Sequence, residues 1–600
     1  MNQRFGEMAA ATWLVTYVGG AHPRIEVEAA GHNVARNGEL TVLFDGILHN
    51  RAELLADSAS NGTRGASDAE LLLDAYVRFG DDVVHHVKGL FALVIWNRDR
   101  RTLLCARDPH GLHPFFYAED GADIFLSSSV DRLVRHPRVS SNVDRVAIAD
   151  HLCHRWPKLE ATYFEAVRRL PGGYTLEVRH GAKRVERYWD PIPPGRPIDY
   201  LSAAEVSNFD GVFDEAITRC LRVGPAAIYL SGGLDSISVA AVAKQQLDER
   251  GEEPLLALSL VFEHPAANEE SVQRAVASAL ELPLEIVTVG EAVGRVGLLA
   301  SALEMSAGRS APMLNLWNPA YAHLAQHAKG LGYQTILTGN GGDEWLEAGV
   351  DKGRLALSRF DLATVYRIWG TMHRSYPFSK AEVAKNLLWT YGMRPILRQA
   401  VSDGLRRAAP RVLRSLQRRH LQEITPAWIA RDPKLRDEMF ERYREHRSKR
   451  SRGALDNAMV AFDLEEFYES GREIGVHLLH PFWDADLTGF LARVPPRMMI
   501  RGGYSKGLVR QSLARKFPTL GFDHHRKVSA TSFYRSVLVD EGVAAWERLG
   551  GAQALAEIGV VDPVALDAHM RDLFRASDPN SAYQIWYVLS VEAWLRGRTP

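Results

Sequence analysis

The stretch AAIYLSGGLDSISVAAVAKQQ, residues 226–246, constrains the fold more than any other part of the chain. A strand pattern ends at a Ser-Gly-Gly turn, and an apolar helical pattern begins beside Asp235. Two glycines let the backbone approach a ligand closely. The free N–H groups of such a turn, with the positive end of the following helix, attract an anion. Because ligands of parallel sheets bind where strands pass into helices, the stretch predicts a phosphate-binding turn in an α/β domain.

Strand and helix patterns alternate over the part of the chain that contains this turn. The strand patterns are AAIYL (226–230), LLALSLVF (255–262), LEIVTV (284–289) and QTILTG (334–339). This alternation predicts a parallel sheet with helices on both faces. Residues from about 355 to 600 have mostly helical patterns.

Residues 1–190 have a different pattern. Short β segments at 40–48, 91–108 and 114–129 are joined by turns, and one amphipathic helix with a Ser/Asp cap signal covers 67–80. These features predict a sheet-rich α+β domain. The proline-dense segment 191–205 is typical of a linker, which leaves 206–600 for a second domain.

Length and composition agree with a soluble protein of two or more domains. The 72 basic and 73 acidic residues give a net charge of −1, which provides no global indication of a nucleic-acid or membrane partner. Cys105, Cys153 and Cys220 form no CxxC pair, so a zinc knuckle is excluded and a reducing compartment is favoured. No convincing signal peptide and no apolar run of about twenty residues is present, so we expect a cytoplasmic protein.

A strongly basic helical insertion is predicted at about 394–452. Two interpretations remain open for it. It is either a solvated helical face or a docking surface for an acidic or extended partner.

Two acidic residues follow glycine-rich strand ends. Asp235 cannot bind a phosphate directly, but it can bind the Mg²⁺ that phosphates bring. The segment ILTGNGGDEWL (336–346) is a second strand that ends in glycines and an acidic pair, so Asp343 can share this magnesium. The plain alternatives are a tight turn at 231–236 and a capped turn before a helix at 338–343. The first turn is not a Walker motif, because GxxxxGK[ST] is absent.

The chain resembles the asparagine synthetase B superfamily over nearly its whole length. SGGLDS (231–236) is similar to the pyrophosphate loop of N-type ATP pyrophosphatases, and TGNGGDE (338–344) and IGVHLLHPFWDADLTGFLARVP (474–495) are similar to further segments of the synthetase domain. FDGILHNRAEL (44–54), SDAELLLDAYVRFG (67–80) and CARDPHGLHPFFYA (105–118) resemble the family's glutaminase domain.

This resemblance implies a different fold for each of the two domains. It also implies that ATP is a substrate and Mg²⁺ a cofactor. The N-terminal domain should be an Ntn-hydrolase-like, class II glutaminase-like α+β sandwich. The C-terminal domain should be an α/β ATP-pyrophosphatase domain of the adenine nucleotide α-hydrolase-like type, with a parallel sheet and a large helical region. The residues that the resemblance places at ATP are Ser231, Gly232, Gly233, Asp235, Ser236, Leu260, Thr338 and Gly339.

Two departures from the family pattern bear on function. Class II glutaminases need cysteine as residue 2, but this chain has Asn2 and lacks the R-G-P-D segment, so glutamine should not supply ammonia. Asn340 stands where β-lactam synthetases have the tyrosine of a proton-abstracting pair. The resemblance is therefore closest to lasso peptide cyclases, which adenylate an Asp or Glu side chain of a precursor peptide and close a macrolactam with its N-terminal amine. A leader peptidase and a leader-recognition protein are the implied partners.

Candidate catalytic residues lie in two C-terminal segments. Lys527 aligns with the family lysine that contacts phosphates and the tetrahedral intermediate, and Lys506 is its rival, with a supporting role for fold or phosphates. Glu465, Glu466 and Glu469 lie where the β-lactam enzymes place a glutamate base. For these glutamates a solvated helical face is the plain alternative, and for His524 and His525 it is a surface histidine.

Other functions remain open from the sequence. A β-lactam synthetase-like ligase, or an ammonia-dependent asparagine synthetase-like ligase acting on a small amino acid, is the nearest alternative. An RNA-thiolating enzyme would need cysteines that cluster, and those of this chain do not. A non-enzymatic scaffold would not be expected to keep Asp235, Asp343 and Lys527.

Overall fold

The structure is a computed structural model. It describes residues 12–29, 33–56, 66–156, 158–193, 198–347, 353–354, 356–357, 360–375, 379–448, 453–522, 525, 528, 530–576 and 581–598. Asn2, His524 and Lys527 lie outside these residues, as do 194–197 of the predicted linker and the end of the basic insertion.

Two antiparallel sheets form the N-terminal half. One has the strand order β2-β1-β8-β7-β9 and the other the order β11-β10-β6-β5-β4-β3. The strands are β1 Leu14–Val18, β2 Arg24–Glu28, β3 Val34–Arg36, β4 Leu40–Leu48, β5 Gly89–Asn97, β6 Thr102–Arg107, β7 Phe116–Asp120, β8 Asp123–Ser127, β9 Val167–Arg169, β10 Tyr174–Arg179 and β11 Ala182–Arg187. The helices are Arg51–Ala56, Asp68–Phe79, Val130–Val134 and Arg145–Leu152.

Side chains that alternate along the strands hold the two sheets together. Val15 of β1 and Leu126 of β8 pack against Val94 of β5 and Cys105 of β6 in one buried cluster. The opposite face of β5 packs against the helix Asp68–Phe79, which starts with the capping box predicted at Ser67. The expected α+β sandwich is confirmed.

One five-stranded parallel sheet forms the centre of the C-terminal half, in the order β14-β13-β12-β15-β16. Its strands are β12 Ala226–Tyr229, β13 Leu256–Val261, β14 Leu284–Thr288, β15 Thr335–Leu337 and β16 His477–Leu479. The first four match the predicted strands. β16 was not predicted from the sequence; it is recognised by its pairing with β15.

Helices cover both faces of the parallel sheet, as predicted. Up to the insertion they are Ala203–Val206, Phe209–Leu221, Leu234–Arg250, Glu270–Ala279, Val289–Val293, Leu298–Gly308, Asn318–Gly330, Gly342–Leu346, Leu362–Ser375 and Lys380–Ala384, followed by the π-helix Lys385–Met393. After it they are Ala458–Ile474, Ala485–Ala492, Gly507–Lys516, Thr531–Asp540, Gly542–Arg548, Gln553–Glu557, Pro563–Arg575 and Ser581–Arg596. No helix in the described part of the chain is both long and apolar enough to cross a bilayer.

The basic insertion is helical, as predicted, with helices Arg394–Ala408, Pro410–Ile424 and Pro433–Ser448. In the first two of these helices Leu421 is the one described residue that is buried. Whether this surface is only solvated or docks a partner stays open. The domain boundaries at residues 190 and 206 likewise stay a prediction.

Candidate active site

The turn between β12 and the helix Leu234–Arg250 is closed by its own hydroxyl groups. The Oγ atoms of Ser231 and Ser236 lie 3.0 Å apart, and the backbone N–H of Ser231 donates to Oγ of Ser236 at 3.2 Å. The Ser236 hydroxyl is within 3.1 Å of the carbonyl oxygen of Gly233, to which it donates. Ser236 is buried and shapes the turn, whereas Ser231 is exposed and can reach a ligand.

The second glycine turn, 338–343, lies directly against the first, because β12 and β15 are neighbouring parallel strands. A Cβ atom added to Gly339 would lie 2.6 Å from the backbone nitrogen of Ser236. A Cβ atom added to Gly342 would overlap the carboxyl group of Asp235. Glycine is therefore required here by the approach of one backbone to the other.

Lys506 lies between the two carboxylates of the site. Its Nζ donates to Oδ2 of Asp235 at 2.5 Å and to Oδ1 of Asp343 at 2.6 Å, and its side chain is 7% exposed. Although burial lowers it, these carboxylates raise the pKa of Lys506 above its ordinary value. Lys527, which was preferred from the sequence for the chemistry, lies outside the described residues. Its rival Lys506 occupies the centre of the site.

The two aspartates fit a magnesium ion. Among the described residues there is no group of three or more His, Cys, Asp or Glu side chains that could hold a metal ion. Magnesium, however, is commonly bound by one or two protein carboxylates together with substrate phosphates and water. Asp235 and Asp343 meet this need, since both already contact one cation, the ammonium of Lys506. The ammonium of Lys506 is the cation that both carboxylates contact in this structure.

A second layer of side chains supports the 338–343 turn. The Thr338 hydroxyl lies 2.6 Å from Nδ1 of His480, which follows β16. Both ends of the Asn340 amide are bound: Oδ1 accepts from Nε1 of Trp483 at 2.6 Å, and Nδ2 donates to Oδ2 of Asp463 at 3.5 Å. Asn340 thus links the 338–343 turn to the helix Ala458–Ile474, which we name the interface helix.

Asp463 and Glu466, one turn apart on the interface helix, share Asn315 as a partner. The Asn315 side-chain amide donates to Asp463 at 2.6 Å, and its backbone N–H donates to Glu466 at 3.0 Å. Glu466 also accepts from the backbone N–H of Leu314 at 2.6 Å and from Nδ2 of Asn318 at 2.7 Å. Burial, with a smaller contribution from Asp463, raises the pKa of Glu466 to about 7. Burial also raises the pKa of Asp463.

The other two candidate glutamates have different partners. Glu469 accepts from the backbone N–H and the hydroxyl of Ser310 at 3.2 and 3.1 Å, and Glu465 is bound by two arginines of the N-terminal half. Glu466 is 9% exposed, and the side chains of Glu465 and Glu469 are 12% and 15% exposed. A solvated helical face, the plain alternative for these three residues, is therefore wrong.

Two further sequence candidates take defined places. His525 is half-buried, so it is not a surface histidine. Burial lowers the pKa of His525, Arg510 lowers it further, and a hydrogen bond to the backbone of Gly232 opposes that shift. Leu260 is buried in β13, beside β12, and its carbonyl oxygen accepts from Nε2 of Gln273 at 3.2 Å.

Asp463, Asn315 and His480 were not selected from the sequence. Helical spacing could have indicated Asp463, because a residue three positions before Glu466 lies on the same side of a helix. No local pattern marks Asn315 or His480. Their contacts span 148 and 142 residues of chain, so only the folded structure reveals them.

Comparison with known proteins divides the chain into two matched regions. Residues 3–189 match the glutamine amidotransferase domain, and residues 208–596 match asparagine synthase. "Asparagine synthetase [glutamine-hydrolyzing] 3" of Bacillus subtilis is 29% identical over 227 residues, which cover 37% of each chain. "Amidase chyE" of Penicillium rubens is 27% identical over 315 residues, which cover 49% of this chain and 44% of that protein.

These alignments span less than half the length of the two relatives. Among solved structures, glutamine phosphoribosylpyrophosphate amidotransferase from B. subtilis aligns with 47% of this chain and 61% of its own, at 13% identity and a TM-score of 0.21. A score this low carries no structural argument.

Proposed function

The chain belongs to the asparagine synthase family, and from that premise we propose that it is an ATP-dependent carbon–nitrogen ligase that releases AMP and pyrophosphate. One observation supports this most strongly. Asp235 and Asp343, at the carboxyl ends of neighbouring parallel strands, converge on a single cation beside a glycine turn. That is the arrangement needed to hold a metal-bound polyphosphate.

In the first step a substrate carboxylate oxygen bonds to the α-phosphorus of ATP, and the bond to pyrophosphate breaks. The exposed Ser231 and the N–H groups of the 231–236 turn would bind phosphate oxygens, with the helix Leu234–Arg250 directing its positive end at them. A magnesium ion held by Asp235 and Asp343 would neutralise the charge of the departing pyrophosphate. Lys506 would contribute a second positive charge within the same site.

In the second step an amine nitrogen attacks the carbonyl carbon, AMP leaves and a proton is removed. Glu466, with a pKa of about 7, can accept a proton at neutral pH. Asp463 lies nearer to the 338–343 turn through Asn340 and is a second acceptor. Glu469, which binds Ser310, remains a further candidate. Lys527 is kept as the proposed group for the oxyanion that forms during the attack.

The substrate proposed is a precursor peptide that reacts with itself. Asn2 in place of the glutaminase cysteine supports an amine that is already part of the substrate. Asn340 cannot act as a base, and its amide is already bound at both ends, which supports a reaction other than β-lactam closure. We therefore propose macrolactam formation between an Asp or Glu side chain and the peptide's N-terminal amine, with a leader peptidase and a leader-recognition protein as partners.

The second candidate is a ligase that joins ammonia to a small amino acid, and the B. subtilis relative named asparagine synthetase favours it. Purified protein with ATP and Mg²⁺ would be given either a candidate precursor peptide or aspartate with ammonium. AMP release and a peptide lighter by one water support macrolactam formation. AMP release with aspartate and ammonium alone supports the second candidate. No AMP with any acid contradicts both.

A further inference from the structure

Two arginines of the N-terminal half hold one glutamate of the interface helix. Arg169 binds Glu465 side-on, with Nε to Oε1 at 2.6 Å and Nη2 to Oε2 at 2.8 Å. Arg107 adds a contact from Nη2 to Oε1 at 3.0 Å. Arg107 and Arg169 have side chains that are 1% and 0% exposed. This cluster, the arginine clamp, therefore joins the two halves of the protein in a buried environment.

The remaining donors of the clamp are fixed by the N-terminal backbone. Arg107 donates through Nε, Nη1 and Nη2 to the carbonyl oxygens of His113, Leu170 and Gly111 at 2.6, 2.9 and 2.7 Å. Arg169 donates through Nη1 to two more carbonyl oxygens, at 2.7 and 2.9 Å. Planar guanidinium groups held in this way define the direction as well as the distance of their bond to a carboxylate.

Further contacts follow the same side of the interface helix. The Arg169 guanidinium stacks over the Phe462 ring at 4.2 Å from its centroid. The hydroxyl of Tyr468 lies 3.0 Å from Nε2 of His113, and the same nitrogen lies 3.2 Å from Oδ2 of Asp45. Phe462, Glu465 and Tyr468 are spaced by three residues and face the N-terminal half.

The proposed proton acceptors lie on the adjacent side of the same helix. Each residue advances a helix by about 100°, so Asp463 and Glu466 are rotated by that angle from Phe462 and Glu465. Their partners, Asn315 and Asn340, belong to the C-terminal half. The contacts between one side of the interface helix and the N-terminal half therefore fix the rotation of this helix about its axis. That rotation determines how the other side of the helix faces the 338–343 turn.

We propose that the N-terminal domain is a positioning element: its arginine clamp on Glu465 orients the interface helix so that Asp463 and Glu466 face the amide-forming site. This rests on the proposed ligase function. It gives the N-terminal domain a role in the ligase reaction, because the interface helix is held from that side. Glu465, Arg107 and Arg169 are positioning residues, since none of them touches the two glycine turns in the described contacts.

The test separates the two half-reactions. Glu465→Gln keeps the shape of the side chain and removes its charge. Exchange of labelled pyrophosphate into ATP reports activation at the glycine turns and should change less than about twofold, while amide formation should fall by about tenfold or more, as expected for a misplaced catalytic group. Arg169→Lys should restore part of the amide-forming rate relative to Arg169→Met, because it keeps a cation at Glu465.

Asp432→Asn is the matched control. Asp432 pairs with Arg145 of the N-terminal half at 2.9 Å, and neither residue lies on the interface helix. This isosteric change should leave both half-reactions within about twofold of the unmodified protein, since half-exposed ion pairs contribute little. Equal losses in both half-reactions of Glu465→Gln, or a similar amide-specific loss in Asp432→Asn, would overturn the proposal.

Hydrogen exchange of backbone amides tests the clamp without any substrate. In Glu465→Gln the amides of the interface helix should exchange about tenfold faster or more, with those of β12 unchanged. Unchanged exchange in the interface helix overturns the positioning role. If the unmodified protein activates no acid with ATP, the proposed function fails, and this measurement still decides the clamp.

Discussion

Gly342 lies so close to Asp235 that a side chain at residue 342 would overlap the aspartate carboxyl group. The two residues are 107 positions apart in sequence and belong to turns after neighbouring strands. Their contact brings the backbone of the second turn against the carboxylate of the first. The glycine is therefore required for the geometry of the proposed metal and phosphate site.

Gly342→Ala should move Asp235 and lower AMP release by about 100-fold, since displacement by about 1 Å at a reacting centre has effects of this size. Gly489→Ala is the matched control, because Gly489 lies in the helix Ala485–Ala492 with open space around its Cβ position. That change should leave AMP release unaltered and stabilise the helix by up to about 1 kcal/mol. Equal activity of Gly342→Ala and the unmodified protein would contradict the close contact.

Asp235→Asn should abolish most ATP cleavage. Loss of a metal-binding carboxylate removes several kcal/mol of charge stabilisation, or about 100-fold or more in rate. Asp248→Asn, on the same helix, changes an exposed residue paired with Lys244 and should have no effect on rate. Radiolabelled AMP released from ATP is the measurement. Asp235→Asn with normal AMP release would remove the basis of the proposed function.

Lys506→Met should destabilise the protein and make its stability depend on magnesium. Removing one partner of a buried ion pair costs about 3–5 kcal/mol, and the partly exposed Asp343 favours the lower end. Because Mg²⁺ would bind the native state between the two aspartates, it should raise the melting temperature of this variant more than that of the unmodified protein. Lys516→Met, which loses a hydrogen bond to Gln245, is the control. An equal response to Mg²⁺ in all three proteins would speak against a shared cation position.

The pH dependence of amide formation should reveal Glu466. Its pKa of about 7 lies above the ordinary value of 4.5, so the folded protein retains a proton that the unfolded chain loses in this interval. Stability from this group is therefore lost as pH rises from about 4.5 to about 7. The rate of amide formation should rise with pH through about 7, as the carboxylate becomes able to accept a proton.

Glu466→Gln should remove this rise in the rate of amide formation. In Glu469→Gln the rate should still rise with pH, as it does in the unmodified protein. Rates of product formation at saturating ATP across neutral and mildly acidic pH provide the comparison. If the rise disappears in Glu469→Gln and stays in Glu466→Gln, the assignment of the proton acceptor must be exchanged between them.

Much of the fold could be predicted because its signals are local. Apolar segments joined by turn residues identified β4, β5 and β6, and Ser67 with Glu70 marked the start of the helix Asp68–Phe79. β16 was not predicted, and its pairing with β15 is found only in the folded structure. The burial of Glu465 and Glu466 was not predicted, since acidic residues on a helix indicate a solvated face unless distant parts of the chain cover them.

The sequence by itself determined the two glycine turns, because a strand, small residues, an aspartate and a helix follow one another within a few residues and need no distant partner. Only the tertiary structure decided that Lys506 lies between Asp235 and Asp343, and that Asp463 joins Glu466 beside Asn315. The lysine is 271 residues from Asp235, and such pairs are selected by how sheets and helices pack. The local sequence pattern specifies the backbone conformation of this site. Burial against the rest of the molecule determines which charged side chains meet there and how strongly each holds its proton.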